Sequence, residues 1–283
     1  MAKADLLARI RQEYIGLSKS HKKIADYILE NYDKVAFMTA STLGKKVNIS
    51  ESTVVRFAGS IGYEGYPELQ RELQESIKSK LTTVQRFEMS KGQNDTDCLA
   101  RVMMSDMENI RHSIEHLDVP MIEVFVGQLI KARKVYILGL RSSSILANYL
   151  GFYLNFILPE VVVIRETAQD VYDQLLNISQ EDVLIAFSFP RYSKRTYDCV
   201  DYALSNGINI LGITDGLNSP LYDKTPYCLT AKYNMNTFVD SLVAPMSLIN
   251  ALIIGTSMKK EGVEQNLAKL ERIWENYGVY NNK

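Results

Sequence analysis

The sequence predicts two domains of different class: an all-α domain over residues 1–80, then, past a linker at 81–95, a three-layer α/β/α domain over 96–283. Three observations predict this. A length of 283 residues exceeds one ordinary domain. The first eighty residues hold only helical apolar spacing. From residue 133 short β-branched runs alternate with helical stretches, which implies a parallel sheet with helices on both faces.

Taken in order, "ADLLARIRQEYIGL" repeats apolar residues at helical spacing. "SHKKIADYILENYDKVAF" follows, with Ser20 as expected N-cap and Ile24, Tyr27, Ile28 and Tyr32 on one face. "TASTLGKKV", the turn "NIS" and "ESTVVRFAGSIG" form a helix pair, and "PELQRELQESIKSKL" opens with Pro67 at a favoured first-turn position. The stretch 81–95 lacks a clean period and reads as a linker, in part helical. "TDCLARVMMSDMENIRHSIEHL" and "PMIEVFVGQLIKA" are helical again. Five strands are expected, at 134–139, 161–165, 183–188, 208–214 and 227–231, and two helices close the chain.

Composition sets the class. Hydrophobic residues make up 46% and charged residues 23%, as in an ordinary globular protein. No apolar run reaches membrane-spanning length, since Pro159 and Pro245 interrupt the two best candidates. The amphipathic N-terminus is not a signal peptide. Cys98, Cys199 and Cys228 lie far apart without a CxxC pair, which speaks against a disulfide framework or zinc site and for a reducing cytoplasm. The net charge of −1 divides into +3 over residues 1–80 and −4 over the remainder, so the first part suits contact with nucleic acid.

In "TLGKKVNISESTVVRFAGSIGY", Val54, Phe57, Ala58 and Ile61 fall on the core face of the second helix. Ser52, Thr53 and Arg56 then face outward, Ser50 is placed to cap the helix, and Lys45 and Lys46 precede the turn. This is the layout of a helix-turn-helix. Arginine can grip guanine with two bonds, serine and threonine can meet a phosphate or base edge, and lysines, including Lys22 and Lys23, add unspecific attraction. A small bundle with merely solvated outer residues fits the same pattern.

At this point "SxxTVVRF…IGYEGYPEL" with an α/β domain downstream resembles the RpiR/MurR family of bacterial transcriptional regulators, over nearly the whole chain. Ser50, Thr53, Val54, Arg56 and Phe57 sit on the family's recognition-helix pattern, continued by Gly62, Gly65 and Leu69. The resemblance implies an N-terminal domain that binds palindromic operator DNA as a homo-oligomer, a dimer or tetramer. It further implies a sugar-isomerase-type (SIS) domain that senses a phosphorylated sugar, with no cofactor.

Members of that domain class hold phosphate in two turns, Gly-x-Gly-x-Ser and Ser-x-Ser-Gly-x-Thr, where helix starts favour an anion. Here the first turn is "GLRSSSILA": Gly139, Ser143 and Ala147 match and Arg141 replaces a glycine. The second is "SFPRYSKRT": Ser188 and Ser193 match, Pro190 replaces a serine and Arg191 a glycine. Ser142 and Ser144 border the first turn and also fit simple capping. Either Arg141 and Arg191 charge-pair with a phosphate or sugar acid, or they pair with Glu166, Asp170 or Asp173 and occlude the site, or the pocket is simply empty. Lys194 and Arg195 read as solvated. Asp215 and Ser219 could border the pocket or merely form a turn, and the aromatics of "NYLGFYLNF" read as core or dimer surface.

The enzyme alternative is a sugar-phosphate isomerase, and a third reading is a sugar-sensing adaptor that leaves DNA alone. Isomerisation needs a base and usually a ring-opening histidine, yet His21, His112 and His116 all precede residue 133. Glu166 is an unmarked carboxylate. His112 and His116 stand at i, i+4 without the ligands a metal would add, and no nucleophile elbow or P-loop occurs. No catalysis is expected.

Overall fold

The structure, a computed structural model, describes residues 6–77, 82–90, 95–234 and 238–280. Two compact units result, Met1–Gly92 with Met235–Phe238, and Gln93–Asn234 with Val239–Lys283.

The first unit is all helix: α1 (Leu6–Glu13), a 3-10 turn (Tyr14–Gly16), α2 (Lys19–Glu30), α3 (Tyr32–Val35), α4 (Ala40–Val47), α5 (Glu51–Ser60), α6 (Tyr66–Ile77) and α7 (Thr83–Ser90). The cap of α2 is Ser18 and not Ser20. Ser18 has the extended backbone a cap requires, and its hydroxyl accepts from the His21 amide at 3.3 Å, which leaves Ser20 inside the first turn. Asn31, at φ −132°, breaks the expected continuous helix into α2 and α3. The periodic apolar residues do meet. Ile10, Ile24, Ile28, Leu43, Val54, Phe57, Ile61, Leu69 and Leu73 form one core. Each such burial is worth about 1.5–3 kcal/mol before chain entropy is subtracted. The carbonyls that end α3 are not orphaned: Gln70 and Gln74 donate to the Ala36 oxygen and Tyr66 to that of Met38.

The second unit begins with α8 (Asp95–Glu115) and α9 (Val119–Lys131), where Asp118 caps α9 by accepting from the Met121 amide at 2.9 Å. The expected linker stretch therefore contains α7 and ends where α8 starts; residues 81 and 91–94 lie outside the described ones. Then follow β1 (Val135–Gly139), α10 (Ser143–Ile157), β2 (Val161–Ile164), α11 (Val171–Gln174), β3 (Val183–Ser188), α12 (Lys194–Ser205), β4 (Asn209–Thr214), β5 (Cys228–Thr230), α13 (Val243–Lys259) and α14 (Val263–Tyr277). The five expected strands are present, each matching within one residue at either end.

All four pairings are parallel, in the order β2-β1-β3-β4-β5. β1, β3 and most of β4 are buried on both faces, as a doubly covered parallel sheet demands. One face carries Tyr136, Leu138, Leu184, Ala186 and Ile210 against Cys199, Val200 and Ala203 of α12. α10 packs on β1 and on α13, which also meets α9. The order reverses direction between β1 and β3, the place where sheets of this kind open a crevice beyond their carboxyl ends. Of the aromatics on α10, Phe152 and Tyr153 are exposed and belong to no core.

Candidate functional sites

Each unit brings one set of sequence-predicted residues together. In the first, α4 ends at Asn48, whose φ of +54° turns the chain towards α5. Gly44 permits the tight approach: a Cβ there would stand 2.5 Å from the Ile49 carbonyl oxygen. Val54, Phe57 and Ala58 of α5 are buried, so its other face is left outward. Ser52 and Arg56 are exposed and Thr53 is half-buried.

Their polar groups are already linked. The Ser50 hydroxyl lies 3.1 Å from that of Ser52 and 2.9 Å from that of Thr53, and Arg56 Nη2 donates to Thr53 Oγ1 at 3.1 Å. Ser50 occupies the cap position with extended backbone, yet its hydroxyl bonds no backbone amide; the neighbouring hydroxyls take it instead. Lys45 and Lys46 are exposed on the last turn of α4, while Lys22 lies 5.5 Å from the Tyr14 ring centre. Val55, which pattern reading passed over, is exposed on the same helix between Thr53 and Arg56. An apolar side chain there suits a thymine methyl group.

In the second unit the loops after β1 and β3 converge. One cavity of about 480 Å³ is lined by Arg141, Ser142, Ser143, Ser188, Arg191 and Ser193 together, with Phe187, Phe189, Pro190, Tyr192, Lys194, Thr196 and Asp240 completing it. Gly139 ends β1 without room for a side chain, since a Cβ would meet the Ser143 carbonyl oxygen at 2.5 Å. Ser193 caps α12, accepting from the Thr196 amide at 3.4 Å. Ser142 precedes α10 without a capping bond.

Arg141 and Arg191 both adopt positive φ, +57° and +69°. Arginine has replaced glycine in sequence, and the glycine backbone has been kept. For a residue with a Cβ that conformation costs roughly 1–2 kcal/mol. Among the described residues the Arg141 guanidinium has no hydrogen-bond or ion-pair partner. Of the three carboxylates expected as occluding partners, Asp170 pairs with Arg195 and Asp173 accepts from the Asp170 amide at 3.2 Å. Glu166 lines a neighbouring cavity of about 290 Å³ with Arg141 and Arg165.

A polar layer stands behind the loops. Ser188 donates to the Tyr197 hydroxyl at 2.8 Å, and the Tyr192 hydroxyl donates to Asp215 at 3.1 Å. Burial raises the Asp215 carboxyl above its ordinary range, and burial with that carboxylate beside it raises the Tyr192 hydroxyl too. Thr214 Oγ1 lies 2.6 Å from both the Ser188 carbonyl oxygen and the Ser219 hydroxyl. Asp215 and Ser219 thus support the site without lining it. Tyr192 and Lys194 do line it, and Lys194 also pairs with Asp198 at 2.9 Å. The tyrosine was legible only as an aromatic in a loop. Three cations, Arg141, Arg191 and Lys194, line it against one carboxylate, Asp240, so the lining carries a net positive charge.

The first class of conclusion is a helix-turn-helix protein with a phosphosugar-type α/β domain, and comparison with known proteins agrees. Residues 4–80 match the helix-turn-helix domain of the rpiR family, and residues 128–255 match the SIS domain. An uncharacterised HTH-type transcriptional regulator of Haemophilus influenzae is 30% identical, covering 81% of this chain and 81% of its own. HexR of Pseudomonas aeruginosa, an HTH-type transcriptional regulator, is 23% identical over 90% of each chain. In fold, the chain is similar to the sugar isomerase domain of an RpiR transcription factor from Sphaerobacter thermophilus, with TM-score 0.58 and 24% identity over 61% of this chain and 97% of that one. It is likewise similar to NanR of Vibrio vulnificus, solved with ManNAc-6P, with TM-score 0.57 and 22% identity over 95% and 98%. The chain belongs to the RpiR family of HTH-type transcriptional regulators.

Among the described residues no helix is long and apolar enough to cross a membrane, and no three His, Cys, Asp or Glu gather as metal ligands. The rings of His112 and His116 stack on each other at 4.2 Å.

Proposed function

We propose that this regulator binds operator DNA through α5 and releases or engages it in response to a phosphorylated sugar or sugar acid held by the two loops. The observation that carries this is the pair of arginines at positive φ on one cavity. Strained backbone persists where surrounding structure enforces it, most often at ligand sites. An anion between Arg141 and Arg191, on the hydroxyls of Ser142, Ser143, Ser188 and Ser193, gives that strain a purpose. NanR, of the same fold, was solved with a phosphosugar, which supports the ligand class.

At the other site, Arg56 with Thr53 and Ser52 enters a major groove, Ser50 steadies their hydroxyls, and Lys45 and Lys46 meet phosphates. A homodimer or a dimer of dimers presents two such helices about 34 Å apart, one DNA turn. Effector binding acts by shifting the population of head spacings. The work is sensing and not catalysis: between residues 133 and 283 the chain offers no histidine for ring opening. Its free cysteines Cys199 and Cys228 are buried, which suits the reducing cytoplasm.

The test is a gel shift on the DNA upstream of the chain's own gene, with phosphosugars and sugar acids titrated in. Arg56→Ala should weaken operator binding about 10–100-fold, the worth of one bidentate base contact. Operator affinity that ignores Arg56→Ala, salt and every anionic sugar would refute the proposal.

A further inference from the structure

Most surface helices bury an apolar face and show a polar one. α8 does the reverse. Towards its own unit it turns Asp106, Asn109 and Ser113. Asp106 accepts from the Ser241 hydroxyl, Asn109 from the Asn234 amide at 2.6 Å, and Ser113 from the Lys232 backbone amide at 2.8 Å. Outward it turns Leu99, Met103, Met107 and Ile114, each exposed by 60–75%, with Met104 beside them. An apolar stripe left in water forgoes the main driving force of folding.

We infer that this stripe is covered by α8 of a second copy of this chain, so that a helix pair on the twofold axis ties two effector units together. Three features single out a second copy. Met103, Met107, Ile110 and Ile114 follow the four-three-four spacing of a coiled-coil seam, which is complementary to itself. Its charged border is balanced, Arg101 and Arg111 against Glu108 and Glu115, so like meets like without net repulsion. Five exposed apolar side chains at roughly 100 Å² each, with half-buried Ile110 between them, supply more than half of the 800 Å² or so per partner of a standard interface. Methionines suit such a face because they adapt to an imperfect counterpart.

The inference rests on the homo-oligomer in the proposed function and adds which helix makes it. The experiment is the solution mass of the full chain, 32.1 kDa per copy, by light scattering. The wild type should weigh two or four copies. Met103→Glu with Met107→Glu should halve that mass or weaken association at least 100-fold, while Leu176→Glu, exposed just after α11, should not. If the double variant misfolds by circular dichroism, the decision passes to Met107→Cys in a Cys98→Ser chain, where mild oxidation should give a covalent dimer on a non-reducing gel. An unaltered mass in the folded double variant overturns the inference and spares the oligomer. A Met107→Cys chain that forms no interchain link overturns it too. A wild type that is monomeric at every concentration overturns both.

Discussion

Among the described residues three other than glycine take positive φ, one in the helix-turn-helix unit and two in the SIS unit. Asn48 in the helix-turn-helix is the inexpensive choice: its short polar side chain tolerates the left-handed region, and helices commonly end there. Arg141 and Arg191 are expensive choices, because each brings a Cβ into the left-handed region that glycine occupies freely. The first turn serves shape, and under the proposed function the other two serve charge. A second contrast lies within the effector unit. Arg133 is a structural arginine, donating at 2.9 and 2.7 Å to both oxygens of buried Asp182. Arg141 has no such partner and waits at a cavity.

The comparison breaks hardest if the charges prove idle. Arg141→Ala combined with Arg191→Ala should lower affinity for an anionic sugar effector by about 10-fold or more for each arginine, as charged hydrogen bonds are worth roughly 1.5–3 kcal/mol. Calorimetric titration reads this directly, and identical heats in variant and wild type would leave the strain unexplained. Next in size is shape. Gly44→Ala places a methyl group against the Ile49 carbonyl and should destabilise the N-terminal unit by about 1–3 kcal/mol, followed by circular dichroism melting.

The structural arginine gives a smaller and pH-linked effect. Burial pushes the Asp182 carboxyl up, but the hydrogen bonds from Arg133 and Ser179 outweigh it and hold the group below its ordinary value. A carboxyl depressed in the folded state stabilises the fold above its unfolded pKa, near 3.9, and loses that contribution as pH falls through the folded value. Asp182→Asn should therefore cost about 1–2 kcal/mol at neutral pH, given that Arg133 is half-exposed, and flatten the melting-temperature loss below about pH 4. A variant whose acid profile overlays the wild type would place the pH sensitivity elsewhere. The smallest effect sharpens the contrast most. Arg141→Gly relieves roughly 1–2 kcal/mol of strain and gives back about 0.4–1 in unfolded-chain entropy, so stability should rise by about 0.5 kcal/mol while effector affinity falls. Asn48→Gly should leave stability nearly unchanged. Equal responses at the two positions would erase the distinction.

The sheet was readable because its strands are buried on both faces, and continuous β-branched runs such as "VLIAFS" have few other uses. The recognition helix was readable for the same kind of reason, since Val54, Phe57 and Ala58 fix which side faces out. Loop residues obey no period. Arg141 and Arg191 stood out only against the glycines of the family's phosphate turns, and Tyr192 and Asp240 entered the cavity through backbone geometry that no spacing announces. Ser20 lost the cap to Ser18 because two serines compete for one helix start and extended backbone decides. The inverted face of α8 was present in the letters, although its meaning depended on knowing which side its own unit had taken.

The candidate effector cavity is made chiefly from two short connections at one end of the sheet, joined by the last residues of β3, the first turn of α12 and Asp240. Specificity is therefore separable from architecture. A handful of codons in "GLRSSS" and "SFPRYS" can retune the chain to a different nutrient while sheet, helices and DNA-reading head stay as they are. A family of regulators assembled on this plan can diversify its signals faster than its bodies.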